Sequence, residues 1–212
     1  MPDDDLARRF RVWLRDAELK PGDRIPGEIE LAGRFGVPRA ALREVIMHYC
    51  QLGVLVRVRN RGTNVCAVSP ERLGDDLALC FGLAGFAAGE LKEVRLLLET
   101  ATAGLACRRL RPADRTRLRG LIDAMAAETD AAAADQLDRD FHLALVQACG
   151  NPCLSMFSGV IQTLFRRQHR GPWLNKAAAA KSVAEHRAIL AALEAGDAIK
   201  AQRLLIAHIE PT

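Results

Sequence analysis

The 212-residue sequence has few aromatic residues, 5% of the chain, and no run of 18 or more apolar residues. A membrane-spanning helix needs about 20 consecutive apolar residues, so none is predicted. The acidic start, MPDDDL, lacks the apolar stretch of a signal peptide, and we expect a cytoplasmic protein. Few aromatics beside abundant Ala and Leu favour helices over sheets, and therefore a mainly α fold.

None of the six cysteines belongs to a C-x-x-C pair, and most lie among apolar neighbours. In a reducing cytosol this pattern is typical of small core residues. Cys149 and Cys153 flank a Gly-Asn-Pro turn, which leaves a redox role open as the alternative.

Positive charge is concentrated in one short segment, although the net charge of the chain is only +4. Between residues 34 and 61, six arginines stand against the single acid Glu44, a local charge of +5. These arginines are Arg34, Arg39, Arg43, Arg57, Arg59 and Arg61. A compact basic block is typical of nucleic-acid binding, and a solvated charged face is the alternative that charge alone leaves open.

The first third of the chain predicts three helices and a hairpin. Apolar residues recur at helical spacing over 4–18, between Pro26 and Gly36, and from Pro38 to Gly53. Gly36 is the expected end of the second helix, and only a tight turn separates it from the third. Two short helices joined in this way form a helix-turn-helix.

The runs 54–59 and 63–68 predict two strands joined by a basic turn, which completes a winged helix-turn-helix. Arg39 and Arg43 are four residues apart, so they share a face of the third helix. In a helix-turn-helix this helix enters the major groove, where arginine suits guanine. The wing tip can follow the minor groove or the backbone.

The stretch 19–45, LKPGDRIPGEIELAGRFGVPRAALREV, resembles the signature of the GntR family of transcriptional regulators, L-x-P-G-x-x-L-P-S-E-x-x-L-A-x-x-F-G-V-S-R-x-x-V-R-E-A-L. The resemblance extends through the wing and covers about 50 residues. It implies that Arg39 and Arg43 contact operator DNA and that Gly62 enters the minor groove. The candidate DNA-binding residues are Arg34, Arg39, Arg43, Arg59, Arg61 and Gly62.

Three positions depart from the family pattern. Gly27 and Pro38 each replace a serine, which removes a hydroxyl that could cap a helix or contact a phosphate. Ile29 stands where some members have a DNA-contacting arginine. The resemblance therefore implies the family architecture with an operator affinity or sequence of its own.

Beyond the first domain, 1–68, the sequence predicts a second domain, 69–212, that is an all-α bundle of six to seven helices. The predicted helical segments are 72–83, 89–110, 112–127, 133–149, 152–168, 178–194 and 197–209. Their short connections favour antiparallel packing.

Four polar residues lie on apolar faces of three of these helices. Asp138 and His142 are four residues apart and project from one face, while His186 and His208 lie among apolar residues of later helices. Buried imidazoles and a carboxylate can satisfy one another through a divalent metal. A metal site and a set of satisfied core histidines are the interpretations that the spacing leaves open.

Residues 70–210 resemble the FCD group of GntR regulators. The resemblance is carried by Glu93, Arg95, Glu99, the DRDFH motif 138–142, Gly150-Asn151-Pro152, the EHRAIL motif 185–190, Gly196-Asp197 and His208-Ile209. Metal-binding members use Asp-x-x-x-His and two later histidines. The resemblance thus implies Asp138, His142, His186 and His208 around one divalent ion, zinc, nickel or manganese, with positions left for water or an effector.

Arg95 shares an inward face with Leu91 and Leu98 of the same predicted helix. A salt bridge to Glu99, four residues on, is one interpretation of an inward arginine. The other, which the resemblance supports, is that Arg95 binds the carboxylate of an effector.

We therefore expect a homodimeric regulator, a repressor in the common family mode, that binds two operator half-sites. A small carboxylate would control its operator affinity from the metal and Arg95. A helical metal-dependent hydrolase and a DNA-binding module with a purely structural metal are the alternatives. The sequence has no H-E-x-x-H motif and no obviously placed general base, which argues against an enzyme.

Overall fold

The structure is a computed structural model, and it describes residues 4–168 and 175–210. The chain divides into two units, Met1–Ser69 and Pro70–Thr212. The described first unit contains α1 (Asp4–Asp16), α2 (Glu28–Phe35), α3 (Arg39–Gln51), β1 (Leu55–Val58) and β2 (Gly62–Val65). The described second unit contains α4 (Pro70–Ala84), α5 (Ala88–Arg109), α6 (Pro112–Ala127), α7 (Ala131–Gln147), α8 (Pro152–Gln168), α9 (Lys176–Glu194) and α10 (Ala198–Ile209).

This architecture confirms the predicted fold class, a winged helix-turn-helix followed by an all-α bundle. Among the described helices, none combines the length and the apolar character needed to cross a membrane.

The core of the first unit forms where the apolar faces of its three helices meet. The ring of Phe10, which is fully buried, lies 5.3 Å from the rings of both Trp13 and Tyr49 and 5.9 Å from that of Phe35. Gly36 ends α2 with a φ of +66°, a left-handed conformation that glycine adopts without steric cost. The turn into α3 is short as a result, which confirms the predicted cap.

The wing hairpin is shorter than predicted, with four residues in each strand. Gly62, which the sequence places in the turn, is the first residue of β2 and pairs with Val58. The predicted runs 54–59 and 63–68 extend beyond the residues that pair. Hydrogen-bonded pairing between the two strands determines where they end more strongly than β-propensity does. A third segment, which was not predicted, runs along β2, and in it Ile25 donates its N–H to the carbonyl of Thr63. This segment connects the wing to the start of α2.

Three helices of the second unit, α4, α7 and α9, begin two residues earlier than predicted. Side chains cap α7 and α9 ahead of their first apolar position. Asp130 accepts the N–H of Ala133 at the start of α7, and Asn175 accepts the N–H of Ala177 at the start of α9. Apolar periodicity does not detect a first turn that is filled with alanine.

Helix α5 lies at the centre of the second unit and packs against α7, α8, α9 and α10. Helix α4 packs on α8, and α6 packs on α7 and α9. The main apolar core includes Phe141, Leu145 and Ile189, all fully buried. Cys149 is buried as expected of a core cysteine, Cys153 is exposed, and both are free thiols.

Glycine allows α4 to approach α8 closely. A Cβ atom added to Gly74 would lie 2.5 Å from Cβ of Thr163, a distance that real contacts do not reach. Gly82, on the same helix, is exposed and has nothing within 4 Å of the position of an added Cβ. The two glycines therefore differ in packing while sharing one helical backbone.

We expect Gly74→Ala to destabilise the protein by about 1–3 kcal/mol, because the new methyl group must displace Thr163 or separate two helices. Gly82→Ala is the matched control, and it should be neutral or stabilising by up to about 1 kcal/mol through helix propensity. Urea denaturation of both variants measures the difference. Equal midpoints would show that α4 can move away from α8 without loss.

Candidate DNA interface and metal centre

The candidate DNA-binding face consists of α3 and the wing. Arg39 and Arg43 lie at the start of α3, four residues apart, and both are exposed. Gly27 and Pro38, the residues before α2 and α3, make no side-chain cap bond. The first N–H groups of both helices therefore depend on other acceptors, such as solvent or a phosphate. Ile29 is 73% exposed on the same part of the unit.

Glu28, at the start of α2, binds two of the arginines in this region. Its Oε2 atom lies 3.1 Å from Nε of Arg39, and its Oε1 atom accepts a hydrogen bond from the guanidinium of Arg57. The carboxylate is only 18% exposed. Because Arg39 begins α3 and Arg57 belongs to β1, this one acid connects the helix-turn-helix with the wing.

A groove of about 480 Å³ lies between the start of α2, α3 and the wing. Four arginines are among the residues that line it: Arg24, Arg39, Arg57 and Arg59. Arg34, Arg43 and Arg61 are exposed but do not belong to this lining. Arg24 and Glu28 were not predicted, since both precede the basic block and reach it only through the segment that runs along β2.

Gly62 is required by the fold of the wing itself. Its φ is +92°, and an added Cβ would lie 2.8 Å from Nε of Arg24. A larger residue would strain the backbone and displace the arginine side chain. Proximity to DNA is therefore not needed to explain a glycine at this position.

In the second unit, the structure brings Asp138, His142, His186 and His208 together. One ligand atom from each residue can be chosen so that all four atoms lie within 4.8 Å of one another. Asp138 and His142 come from α7, His186 from α9 and His208 from α10. The side chains of His142 and His186 are fully buried.

The three imidazoles face one another through their Nε2 atoms. Nε2 of His142 lies 3.2 Å from Nε2 of His208 and 3.3 Å from Nε2 of His186. A carboxylate oxygen of Asp138 lies 3.4 Å from Nε2 of His186. Two nitrogens bound at about 2.0–2.1 Å to one tetrahedral zinc are roughly 3.3 Å apart, so the spacing fits ligands of a shared ion.

The contacts of the opposite ring nitrogens suit a cluster that could hold a cation. Nδ1 of His142 lies 2.6 Å from Oε2 of Glu99, and Nδ1 of His208 lies 2.7 Å from Oε2 of Glu185. An ionised carboxylate only accepts, so each Nδ1 must donate its proton. In the neutral rings both Nε2 atoms then carry lone pairs, and these repel unless a cation lies between them. Carboxylate-bound histidines of this kind are typical of metal ligands.

Burial reinforces the neutral state of two of these histidines. Burial is the main cause that lowers the pKa of His186, well below its usual range, and neighbouring His142 lowers it further. Burial and His142 also lower the pKa of His208, against the opposing effect of Glu185. Neutral imidazole is the form that binds a metal ion.

Glu99 on α5 is fully buried and binds three partners. Besides His142, its carboxylate accepts hydrogen bonds from Nε of Arg95 at 2.8 Å and from Nε2 of Gln162 at 3.2 Å. Burial raises its pKa, but His142 and Arg95 outweigh burial and hold the pKa at about 2. The salt bridge predicted for Arg95 is therefore present. Glu185 and Gln162 were missed, because nothing in their spacing relates them to the cluster.

Arg95 also lies in the electrostatic field of the cluster. Its pKa is raised, since Glu99 and Asp138 together outweigh the effect of burial. The side chain is 12% exposed. The salt bridge and a role beside the cluster are thus compatible interpretations of this arginine.

A winged helix-turn-helix with exposed arginines at the start of α3, joined to a helical bundle, defines a DNA-binding transcriptional regulator. The description "Bacterial regulatory proteins, gntR family" matches residues 2–65, and the FCD domain matches residues 90–211. The chain therefore belongs to the GntR family, in the group with a C-terminal FCD domain. The resemblance found in the sequence is confirmed.

Known relatives are regulators as well. The chain is 29% identical to the HTH-type transcriptional regulator LutR of Bacillus subtilis, over 92% of each chain. It is 28% identical to the putative L-lactate dehydrogenase operon regulatory protein of Escherichia coli, over 97% of this chain and 83% of that protein. It is 27% identical to the galactonate operon transcriptional repressor of E. coli, over 89% of this chain and 85% of that protein.

A solved structure of a GntR protein from Streptococcus agalactiae has the same fold, with a TM-score of 0.72 and 25% identity over 97% of this chain and 96% of that one. The family and its relatives are transcriptional regulators and not enzymes. The hydrolase alternative is therefore wrong.

Proposed function

We propose that this regulator controls transcription by binding operator DNA with an affinity that a small hydroxycarboxylate sets at a metal centre in the second unit. The observation that carries the proposal is the convergence of three histidine Nε2 atoms and the Asp138 carboxylate beside Arg95. Repression relieved by the ligand is the mode that we propose, in line with the relative named as a galactonate operon repressor.

Asp138, His142, His186 and His208 would hold the metal ion. Three imidazoles and one carboxylate suit zinc, nickel and manganese. When bound, the ion supplies a Lewis acid with positions open to an oxygen ligand. The protein residues orient the donors, and Glu99 and Glu185 accept hydrogen bonds from the Nδ1–H groups of His142 and His208.

The effector class follows from the same residues. We propose that Arg95, whose Nε pairs with Glu99, also binds the effector carboxylate, and a hydroxyl next to that carboxylate would complete a chelate on the ion. Two relatives are named for the L-lactate dehydrogenase and galactonate operons, and both lactate and galactonate are 2-hydroxycarboxylates. We infer that the effector belongs to this class.

The operator would be bound by a homodimer through the exposed arginines of the first unit. The proposed contacts are Arg34, Arg39, Arg43, Arg59, Arg61 and Gly62, with Arg24 and Arg57 added by the groove. Exposed apolar side chains on α4 and α5, such as Leu83 at 82% and Leu97 at 68%, support a homodimer, because large apolar residues favour burial.

Arg43→Ala should weaken binding to a duplex selected in vitro by the wild-type protein by about 5- to 150-fold, because a base-contacting arginine is worth about 1–3 kcal/mol. Arg108→Ala, on the exposed surface of α5, should leave the affinity unchanged. Gel shifts at fixed salt measure both, on duplexes with one and with two half-sites. Wild-type affinity in Arg43→Ala would remove this residue from the interface.

Purified wild-type protein should contain about one divalent ion per chain, and His142→Ala should lose it, since the variant removes the ligand at the centre of the cluster. His48→Ala, a half-buried histidine of α3, is the matched control and should keep the ion. Elemental analysis after dialysis measures the content. A metal-free wild-type protein, equally stable with and without added zinc, would make these histidines core residues.

With zinc bound, L-lactate or D-galactonate should lower the operator affinity of the wild-type protein by about 5- to 150-fold, the usual range of allosteric coupling. Arg95→Lys should lose most of this response but keep its metal, because lysine retains the charge near Glu99 and lacks the planar fork. Gel shifts with and without each acid test this. A normal response in the variant would mean that Arg95 only forms a structural salt bridge and does not bind the effector. If neither acid acts on the zinc-loaded wild-type protein, the structural-metal alternative holds.

A further inference from the structure

We propose that Glu99 is a positioning residue of the metal centre: it holds His142 in the tautomer that directs the Nε2 lone pair at the ion, and Arg95 and Gln162 hold Glu99 for this task. The inference rests on the proposed metal centre, but it concerns a residue outside the four ligands. It makes the ligand strength of His142 depend on three hydrogen bonds that converge on the Glu99 carboxylate.

The geometry assigns a separate task to each oxygen of the Glu99 carboxylate. Oε1 accepts from Arg95 at 2.8 Å and from Gln162 at 3.2 Å, so two donors from α5 and α8 fix the orientation of the group. Oε2 is thereby directed at α7, where it lies 2.6 Å from Nδ1 of His142. With no exposure to solvent, the carboxylate has no water to compete for these bonds.

The tautomer follows from what each group can donate. An ionised carboxylate has no proton, so a contact of 2.6 Å requires Nδ1 of His142 to be the donor. The neutral ring then has no proton on Nε2, the atom that faces His186 and His208. An Nε2–H tautomer would place a proton where the ion belongs and would leave Glu99 without its third donor.

The three histidines are not equivalent in this respect. Glu185 makes the corresponding contact to His208, but it is 30% exposed and also lies 3.7 Å from Nζ of Lys181. Nδ1 of His186 is buried without a hydrogen-bond partner in the described part of the chain. Among the described contacts, Glu99 is therefore the only fully buried carboxylate that orients a histidine of the cluster. We expect its loss to affect the metal more than the loss of Glu185.

The test compares Glu99→Gln with Glu185→Gln in the full chain. Competition with a chromophoric chelator should show zinc affinity falling by about 10- to 100-fold in Glu99→Gln, the usual range for a residue that orients a metal ligand. Glu185→Gln should lose less, because solvent already competes for its carboxylate. Gln162→Leu should show a smaller loss than Glu99→Gln, since Arg95 still holds Oε1. Equal affinity in the wild-type protein and Glu99→Gln would overturn the proposal.

A spectroscopic measurement separates positioning from a general loss of structure. In the metal-free wild-type protein, long-range 1H–15N spectra of the imidazoles should show His142 protonated on Nδ1 and unprotonated on Nε2. In Glu99→Gln the Nε2–H form should appear, while the control Glu185→Gln keeps the wild-type pattern at His142. If Glu99→Gln does not fold, the wild-type spectrum still decides, because an Nε2–H tautomer there would overturn the proposal.

The outcomes also separate this inference from the proposed function. A wild-type protein that binds no zinc contradicts the metal centre, whatever the tautomer of His142. A wild-type protein that binds zinc equally well with Gln at residue 99 leaves the metal centre in place and removes only the role assigned to Glu99.

Discussion

The second unit is organised around lone pairs that face one another in a buried cluster. The Nε2 atoms of His142, His186 and His208 converge, and the first two residues have no contact with solvent. An apolar core tolerates such a cluster when the polar groups are paired or share a cation. Since α7, α9 and α10 supply the clustered residues and α5 supplies the carboxylate behind them, the packing of four helices and the chemistry of the cluster depend on the same contacts.

Carboxylates orient basic groups in both units, but with different energetics. Glu28 is 18% exposed and pairs with Arg39, which is 61% exposed, so the pair is worth at most about 1 kcal/mol and mainly restricts where the guanidinium lies. Glu99 is fully buried, and breaking a buried pair of this kind costs about 3–5 kcal/mol because it leaves an uncompensated charge. The Glu28 pair can therefore vary at little cost in stability, whereas the contacts of Glu99 cannot.

The sequence predicted the helices, the wing and the four clustered residues, because these depend on local spacing. Asp138 and His142 share a face whatever the rest of the chain does. The partners Glu99 and Gln162 are 43 and 63 residues away from the groups that they bind, and their roles depend on how α5, α7 and α8 pack. The same holds for Arg24, whose contact with Gly62 exists only because the segment before α2 runs along the wing. Local patterns contain no information on such contacts.

Charge explains why metal and effector belong together in the proposed function. Glu185 pairs with Lys181 and Asp135 pairs with Arg139. The remaining charges near the cluster are two negative ones, on Asp138 and Glu99, and one positive one, on Arg95, so without a cation the site repels a carboxylate. A divalent ion reverses the balance and leaves one positive charge in excess, which a monocarboxylate neutralises. A 2-hydroxyl group adds a second ligand atom without adding charge, whereas a dicarboxylate would bring a negative charge that nothing in the site compensates. Because uncompensated charge is costly in a buried site, the arrangement favours monoanionic 2-hydroxycarboxylates over dicarboxylates.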